Sequence, residues 1–326
     1  MVVSTAEKSE LTSTPVESLP RLFVIVPTYN RWGEARKSLE CLARSSYANF
    51  GIILVEDGCV DETVASCREQ FPDVEMLHGD GTLWWSGAIN LGTQYALDNG
   101  AELIMWINDD VLVAPDTIER LVATIRRNGV RTVACARTKS TDPNIPDWKG
   151  EAPAWHPDAG KNLRELPEYG DVSIQHPPGG RAVVIPAQCF RDVGFIDVKN
   201  FPHYWADHDF HYRAMQAGYK YFITAESFVW NVPNEPRREL KQEFSLGWMG
   251  WFLTDRRSSM NMPTLRRLLK RHLPRHEYRK IFYPLLFRHL KWLAYEWLIR
   301  KPLLHRPLRA VKNAFSKAEP NSSPGR

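Results

Sequence analysis

The sequence predicts an α/β protein: a doubly wound, mostly parallel sheet with a basic helical extension at the C-terminus. Three observations predict it. Short apolar runs alternate with amphipathic stretches up to Ile107, which is the rhythm of βαβ units. The apolar runs end in polar clusters, and in open α/β sheets ligands bind beyond the strand carboxyl ends. Charge also divides along the chain. The 326 residues carry a net charge of +4, yet the stretch from Thr264 to Phe315 alone holds 14 Lys or Arg against two Glu, so the body is acidic.

The elements follow in order. Residues 1–20 are polar, hold two prolines and lack the apolar core of a signal peptide, so they read as a disordered leader. Leu22-Phe-Val-Ile-Val26 is a strand stopped by Pro27. A helix follows from about Trp32 to Ala43, with Leu39, Leu42 and Ala43 at helical spacing. Ile52-Ile-Leu-Val55 is the next strand, ending in Glu56-Asp57-Gly58. Asp61 is placed to cap a helix reaching about Gln70. A short strand spans Val74 to Leu77, and a helix Ser86 to Asn99. Ala101-Glu-Leu-Ile-Met-Trp-Ile107 reads as a buried strand that ends in Asn108-Asp109-Asp110. Two acids at a buried strand tip are costly unless a positive charge sits there, and a divalent cation with oxygen ligands is one solution. An Asx turn is the plain alternative.

Beyond this point the pattern changes. Residues 138–178, rich in Pro, Trp, His and Gly, read as long loops. Ala182-Val-Val-Ile185 is a strand, Asp207 to Gly218 a helix and Phe222 to Val229 a further strand. From Gln242 the pattern is helical, with breaks expected at Pro263, Pro274, Pro284 and Pro302. The α/β domain is therefore set at 21–240, a basic amphipathic helical region at 241–315 and a disordered tail at 316–326. The five cysteines are scattered without a Cys-x-x-Cys pair, which argues against a structural zinc site and fits a reducing compartment.

Four polar clusters fall at strand ends or helix starts: Pro27-Thr28-Tyr29-Asn30, Glu56-Asp57-Gly58, Asn108-Asp109-Asp110 and Tyr204 to Asp209. Here the chain resembles the family-2 glycosyltransferases. Val26 to Arg31 is similar to their opening strand and loop. Val55-Glu56-Asp57-Gly58-Cys59-Val60-Asp61-Glu62-Thr63 resembles their V-D-D-G-S-x-D-x-T motif. Gly87-Ala88-Ile89-Asn90-Leu91-Gly92 resembles their G-x-x-N-x-G helix start, and Asn108-Asp109-Asp110 stands at their D-x-D metal motif. Ala206-Asp207-His208-Asp209-Phe210, with Arg213 and Gly218, resembles E-D-x-D-(L/F)-x-x-R-x-x-x-x-G. The resemblance runs from about residue 21 to about 235.

It implies the GT-A fold, a Rossmann-like doubly wound sheet, and inverting transfer of a hexosyl or deoxyhexosyl group from a nucleotide-diphosphate sugar. Pro27, Thr28, Tyr29, Asn30, Asp57, Asn108 and Asp109 would then bind nucleotide. Asp110 would bind Mg2+ or Mn2+, with Asn231 as a weaker ligand where relatives carry histidine. Asp207 would be the base that deprotonates the acceptor hydroxyl. Gly179 and Gly180 would line the acceptor side. Asp209 has the stronger structural reading, as a helix cap or an i,i+4 partner of Arg213.

Three further features come from the residues themselves. Trp84 and Trp85 sit in a glycine-rich loop before a helix with Gly87 and Asn90, where one ring stacks on a ligand or both plug the core. Trp205 is the candidate for stacking on an acceptor sugar. The segment Arg279 to Ile299 mixes basic residues with Leu, Phe, Tyr and Trp, as in interfacial helices on anionic lipid. Packing on the body is compatible with that, and nucleic acid is not the expected partner. The reading is a cytoplasmic enzyme on the inner face of a membrane, acting on a lipid-linked or polysaccharide acceptor in bacterial surface-glycan synthesis. A metal-dependent nucleotidyltransferase or a non-catalytic nucleotide-sugar-binding protein are the alternatives.

Overall fold

Alternate residues of the first strand face opposite ways, and both sets are buried. A computed structural model describes residues 18–141, 167–176, 178–232, 245–258 and 260–299. Most of the expected leader and all of the tail lie outside them, as does much of the 138–178 segment.

The chain order is β1 (Leu22–Thr28), α1 (Trp32–Leu42), β2 (Phe50–Glu56), α2 (Thr63–Gln70), β3 (Glu75–His78), α3 (Trp84–Asp98) and β4 (Leu103–Trp106). Then come β5 (Val111–Val113), α4 (Thr117–Asn128), β6 (Thr132–Ser140), β7 (Asp171–Ile174), β8 (Val183–Pro186), α5 (Ala187–Val193), α6 (Ala206–Gln216) and β9 (Lys220–Asn231). Three helices close the described chain: α7 (Leu246–Thr254), α8 (Met262–His272) and α9 (Arg275–Ile299). The sheet order is β3-β2-β1-β4-β8-β6-β9-β5, with β7 also on β9. Strands β3, β2, β1 and β4 run parallel, β8 is antiparallel to β4 and β6, and β6 is parallel to β9. The fold is thus α/β, parallel through its N-terminal half.

Two apolar layers cover the sheet. Leu22, Val24 and Val26 of β1 meet Leu39 of α1 and Ile118 and Leu121 of α4 on one face. Phe23 and Ile25 meet Ile89 of α3 on the other, in a layer that continues through Phe210 of α6 to Leu268 of α8 and Phe282 of α9. Burial on both faces is what a continuous Leu-Phe-Val-Ile-Val run is suited to. The C-terminal helices extend the second layer, and Asn261 caps α8 by accepting from the Thr264 N–H over 2.8 Å.

Some expectations need correction. Pro284 does not break the helix: α9 runs through it, with the ring on an exposed face. Strands β5, β6 and β7 were not expected, and β6 and β7 take up both ends of the segment read as loop. Helix α3 starts at Trp84 rather than Ser86.

Candidate active site

A cavity of about 740 Å³ opens at the carboxyl ends of β1, β2 and β4. Its floor is the loop after β1. Thr28 donates from its hydroxyl to Asp109 Oδ2 over 2.9 Å, Arg31 Nη1 donates to Asp109 Oδ1 over 2.9 Å, and Arg31 Nη2 lies 3.7 Å from Asp110. A guanidinium therefore supplies part of the positive charge that the paired acids demand. Burial still pushes the Asp109 carboxyl up to about 7, with Arg31 opposing and Asp110 adding to the rise.

Asp57 holds the second wall together. Its carboxylate accepts N–H bonds from Gly81 at 2.9 Å, Leu83 at 3.1 Å and Trp84 at 2.8 Å. Three backbone donors occupy it, so it shapes the loop ahead of α3. Gly79 fits because a Cβ there would lie 2.5 Å from Asp57 Oδ1. The two tryptophans then diverge. Trp84, left-handed at φ 56°, packs edge-on against His203 at 5.8 Å. Trp85 turns inward, edge-on to Trp106 at 5.8 Å, and its Nε1–H donates to Asn108 Oδ1 over 3.0 Å. Trp85 is a wedge, and Trp84 is the ring that forms open wall.

The third wall carries Asp207, in the first turn of α6. Its Oδ2 accepts the Gly180 N–H and its Oδ1 the His208 N–H, each over 2.8 Å. Trp205, just before α6, is left-handed at φ 70°. Strain of this kind in a non-glycine residue collects at functional sites. Two residues along, Asp209 is fully buried, with Arg213 and Arg271 bonded to its two oxygens and His272 Nε2 2.9 Å from Oδ1. Burial would raise this carboxyl, but the hydrogen bond to His272 and the charges of Arg213 and Arg271 hold it below the usual range. The two acids of one helical turn thus face different surroundings. Burial lowers the pKa of His203, against the pull of Asp207.

The acidic turn has a feature suited to a cation. Asp110 Oδ1 and Asn231 Oδ1 are both buried without a hydrogen-bond partner. They lie at one end of the β5–β9 ladder, where Val111 pairs with Asn231 and the Val232 N–H donates to the Asp110 carbonyl. Two orphaned hard oxygens fit Mg2+ or Mn2+. Among the described residues no group of three His, Cys, Asp or Glu side chains converges, so further ligands of such an ion would come from outside that set.

Of the expected site residues, Pro27, Thr28, Tyr29, Asp57, Trp84, Trp85, Asn108, Asp109, Asp110, Gly179, Gly180, Trp205 and Asp207 line the cavity. Four others are placed elsewhere. The Asn30 side chain accepts from the Val60 N–H over 2.7 Å and pins the next loop. Asn90 exchanges two hydrogen bonds with the Ile196 backbone, and Gly87 packs on Leu83. Asn231 is not among the residues that line the cavity but sits next to Asp110 at the end of the β5–β9 ladder. Sequence reasoning did not assign Arg31 or Arg181, both of which line the cavity. Arg31 follows directly on the motif it belongs to, but its acid partner lies 78 residues on.

Residues 23–180 match the family model described as Glycosyl transferase family 2. An uncharacterized protein of Sinorhizobium fredii is 32% identical over 127 residues, 36% of this chain and 13% of that protein. The glycosyltransferase AglE of Haloferax volcanii is 25% identical over 240 residues, 71% of this chain and 73% of AglE. The chain spans only 13% to 42% of the other curated relatives it matches. Among solved structures, GalNAc-T7 with UDP, GalNAc and Mn2+ aligns with a TM-score of 0.55 at 16% identity, covering 88% of this chain and 59% of that one. That likeness is one of fold.

Proposed function

Because the chain belongs to the family-2 glycosyltransferases and has their GT-A fold, we propose that it moves a sugar from a nucleotide-diphosphate donor to a hydroxyl of a lipid-linked or polysaccharide acceptor, inverting the sugar carbon. One observation carries this reading. Asp110, with an orphaned oxygen, and Asp207, held by two backbone N–H groups, line the same cavity from different elements. The cavity volume suits a nucleotide sugar.

In this reading Pro27, Thr28 and Tyr29 face the nucleotide, and Asp57 acts through the loop it shapes. Asn108 is oriented toward the ribose by the Trp85 indole. Asp110 and Asn231 would hold Mg2+ or Mn2+, with Asp109 tied to Arg31 alongside. When bound, the cation supplies counter-charge to the leaving diphosphate. Asp207 takes the proton from the acceptor hydroxyl. Its two N–H donors fix the orientation of the carboxylate. Trp205 and Gly179 flank the acceptor. The basic C-terminal helices hold the enzyme peripherally on an anionic inner membrane surface, where a lipid-linked acceptor is presented.

The test is a nucleotide screen by thermal shift, with and without manganese. One nucleoside diphosphate should stabilise the protein in a metal-dependent way, and Asp110→Asn should abolish that dependence. No shift with any nucleotide would overturn the reading.

A further inference from the structure

We propose that the outward face of α9 is the surface that docks on an anionic lipid bilayer, while its inward face belongs to the core. This deepens the membrane reading above and rests on no step of the transfer chemistry.

The helix has two apolar stripes on different faces. Tyr278, Phe282, Leu285 and Leu293 are buried. They recur at helical spacing and join the second core layer and the small cluster of Trp248 and Phe252 on α7. Tyr283, Phe287 and Leu290 recur at intervals of four and three on the second face, exposed by 44%, 62% and 42%. Isolated exposed apolar residues are ordinary, but three large ones in a stripe are not.

The surroundings say what fits the stripe. Arg279, Lys280, Arg288 and Lys291 are exposed beside it. None of the four has an acidic partner among the described residues. Apolar groups flanked by unpaired cations match a bilayer interface, where hydrocarbon lies beneath a negative headgroup layer. A second copy of the chain fits poorly, since it would set the same cations against themselves. No described helix is long and apolar enough to cross a membrane, so the contact lies along the surface.

Truncation cannot test this, because α8 and the inner face of α9 complete the core. Point variants of the full chain can. Wild type, Phe287→Glu, a Lys280→Glu/Lys291→Glu double variant and a Val130→Glu control are sedimented with phosphatidylglycerol–phosphatidylcholine vesicles and with pure phosphatidylcholine. Val130 is 84% exposed and lies in another part of the fold. Wild type and control should pellet with the anionic vesicles, less so as salt rises. Phe287→Glu and the double variant should each bind at least about tenfold more weakly, with unchanged melting temperatures. The proposal fails if wild type stays in the supernatant, or if either α9 variant pellets as wild type does. It also fails if Phe287→Glu instead splits a dimer in sedimentation equilibrium. The assay uses no donor or acceptor, so its failure leaves the transfer reading where it stands.

Discussion

Trp85 lies so close to Gly180 that a Cβ on Gly180 would sit 2.6 Å from the ring carbon Cζ2. The same indole donates to Asn108, and the Gly180 N–H donates to Asp207. One ring therefore sets the spacing between the acidic strand tip and the loop that holds the candidate base. Gly180→Ala should keep the fold and lower turnover about 10- to 100-fold, since displacement of a positioned group by 1 Å costs rates of that order. Trp85→Phe, which keeps most of the wedge, should be milder. Steady-state kinetics decide it, and a fully active Gly180→Ala would refute the coupling.

Asp110→Asn should cost on the order of 10³-fold in transfer, as the leaving group loses its counter-charge. Its melting temperature without metal should change little, because Asp110 Oδ1 has no hydrogen-bond partner and Oδ2 meets only Arg31, at 3.7 Å. An active variant, or a wild type indifferent to chelators, would point to metal-free chemistry.

Asp207 and Asp209 should separate cleanly. Asp207→Asn should lower turnover while donor affinity stays near normal. Asp209→Asn should act on stability, since it leaves Arg213, Arg271 and His272 without their anion. Breaking such a buried network costs about 3–5 kcal/mol. The sign with pH follows: a depressed carboxyl contributes stability above about pH 4 that is lost as pH falls below that. Urea denaturation of both variants is the measurement. Asp209→Asn that is as stable as wild type yet inactive would shift the base assignment by two residues.

His211 gives the fold a second acid sensitivity. It is fully buried beside the Tyr221 hydroxyl at 2.9 Å, and burial pushes its pKa down to about 3. Its folded pKa lies below its unfolded one, so stability is intact above about pH 6.5 and drains away as pH falls toward 3. His211→Gln should flatten the loss of melting temperature between pH 6.5 and 4, an effect on the order of 3 kcal/mol. Parallel melting curves for variant and wild type would mean that this histidine is not the acid-sensitive group.

The N-terminal half of the fold was legible because its strands are apolar runs between turn signals. Strand β6 was not, since Thr132-Val-Ala-Cys-Ala-Arg-Thr-Lys-Ser140 fills its buried positions mostly with small residues. Strand β5 is three residues long, too short for a period. The polar clusters marked the cavity, but not the division of work inside it. Nothing local distinguishes Asn30, which pins a loop, from Thr28, which faces the acids. Nor does the chain text tell that Trp85 is a wedge and Trp84 a wall, because that depends on Gly180, Asn108 and His203 from elsewhere in the chain.

The sheet order also bears on when the site comes into being. Strands β4 and β5 flank the acidic turn, yet β8, β6 and β9 lie between them in the sheet. The first side of the turn can settle with the parallel half as soon as β1 and β4 pair. The second side packs on α1 but has no strand partner until β9, the last of the described strands, is made. Asp110 and Asn231 are then drawn together by the last strand to be synthesised. Such long-range closure is slow, so a nascent chain stalled before β9 would hold β1 to β4 paired while Asp110 still waited for the strand that brings Asn231 to it.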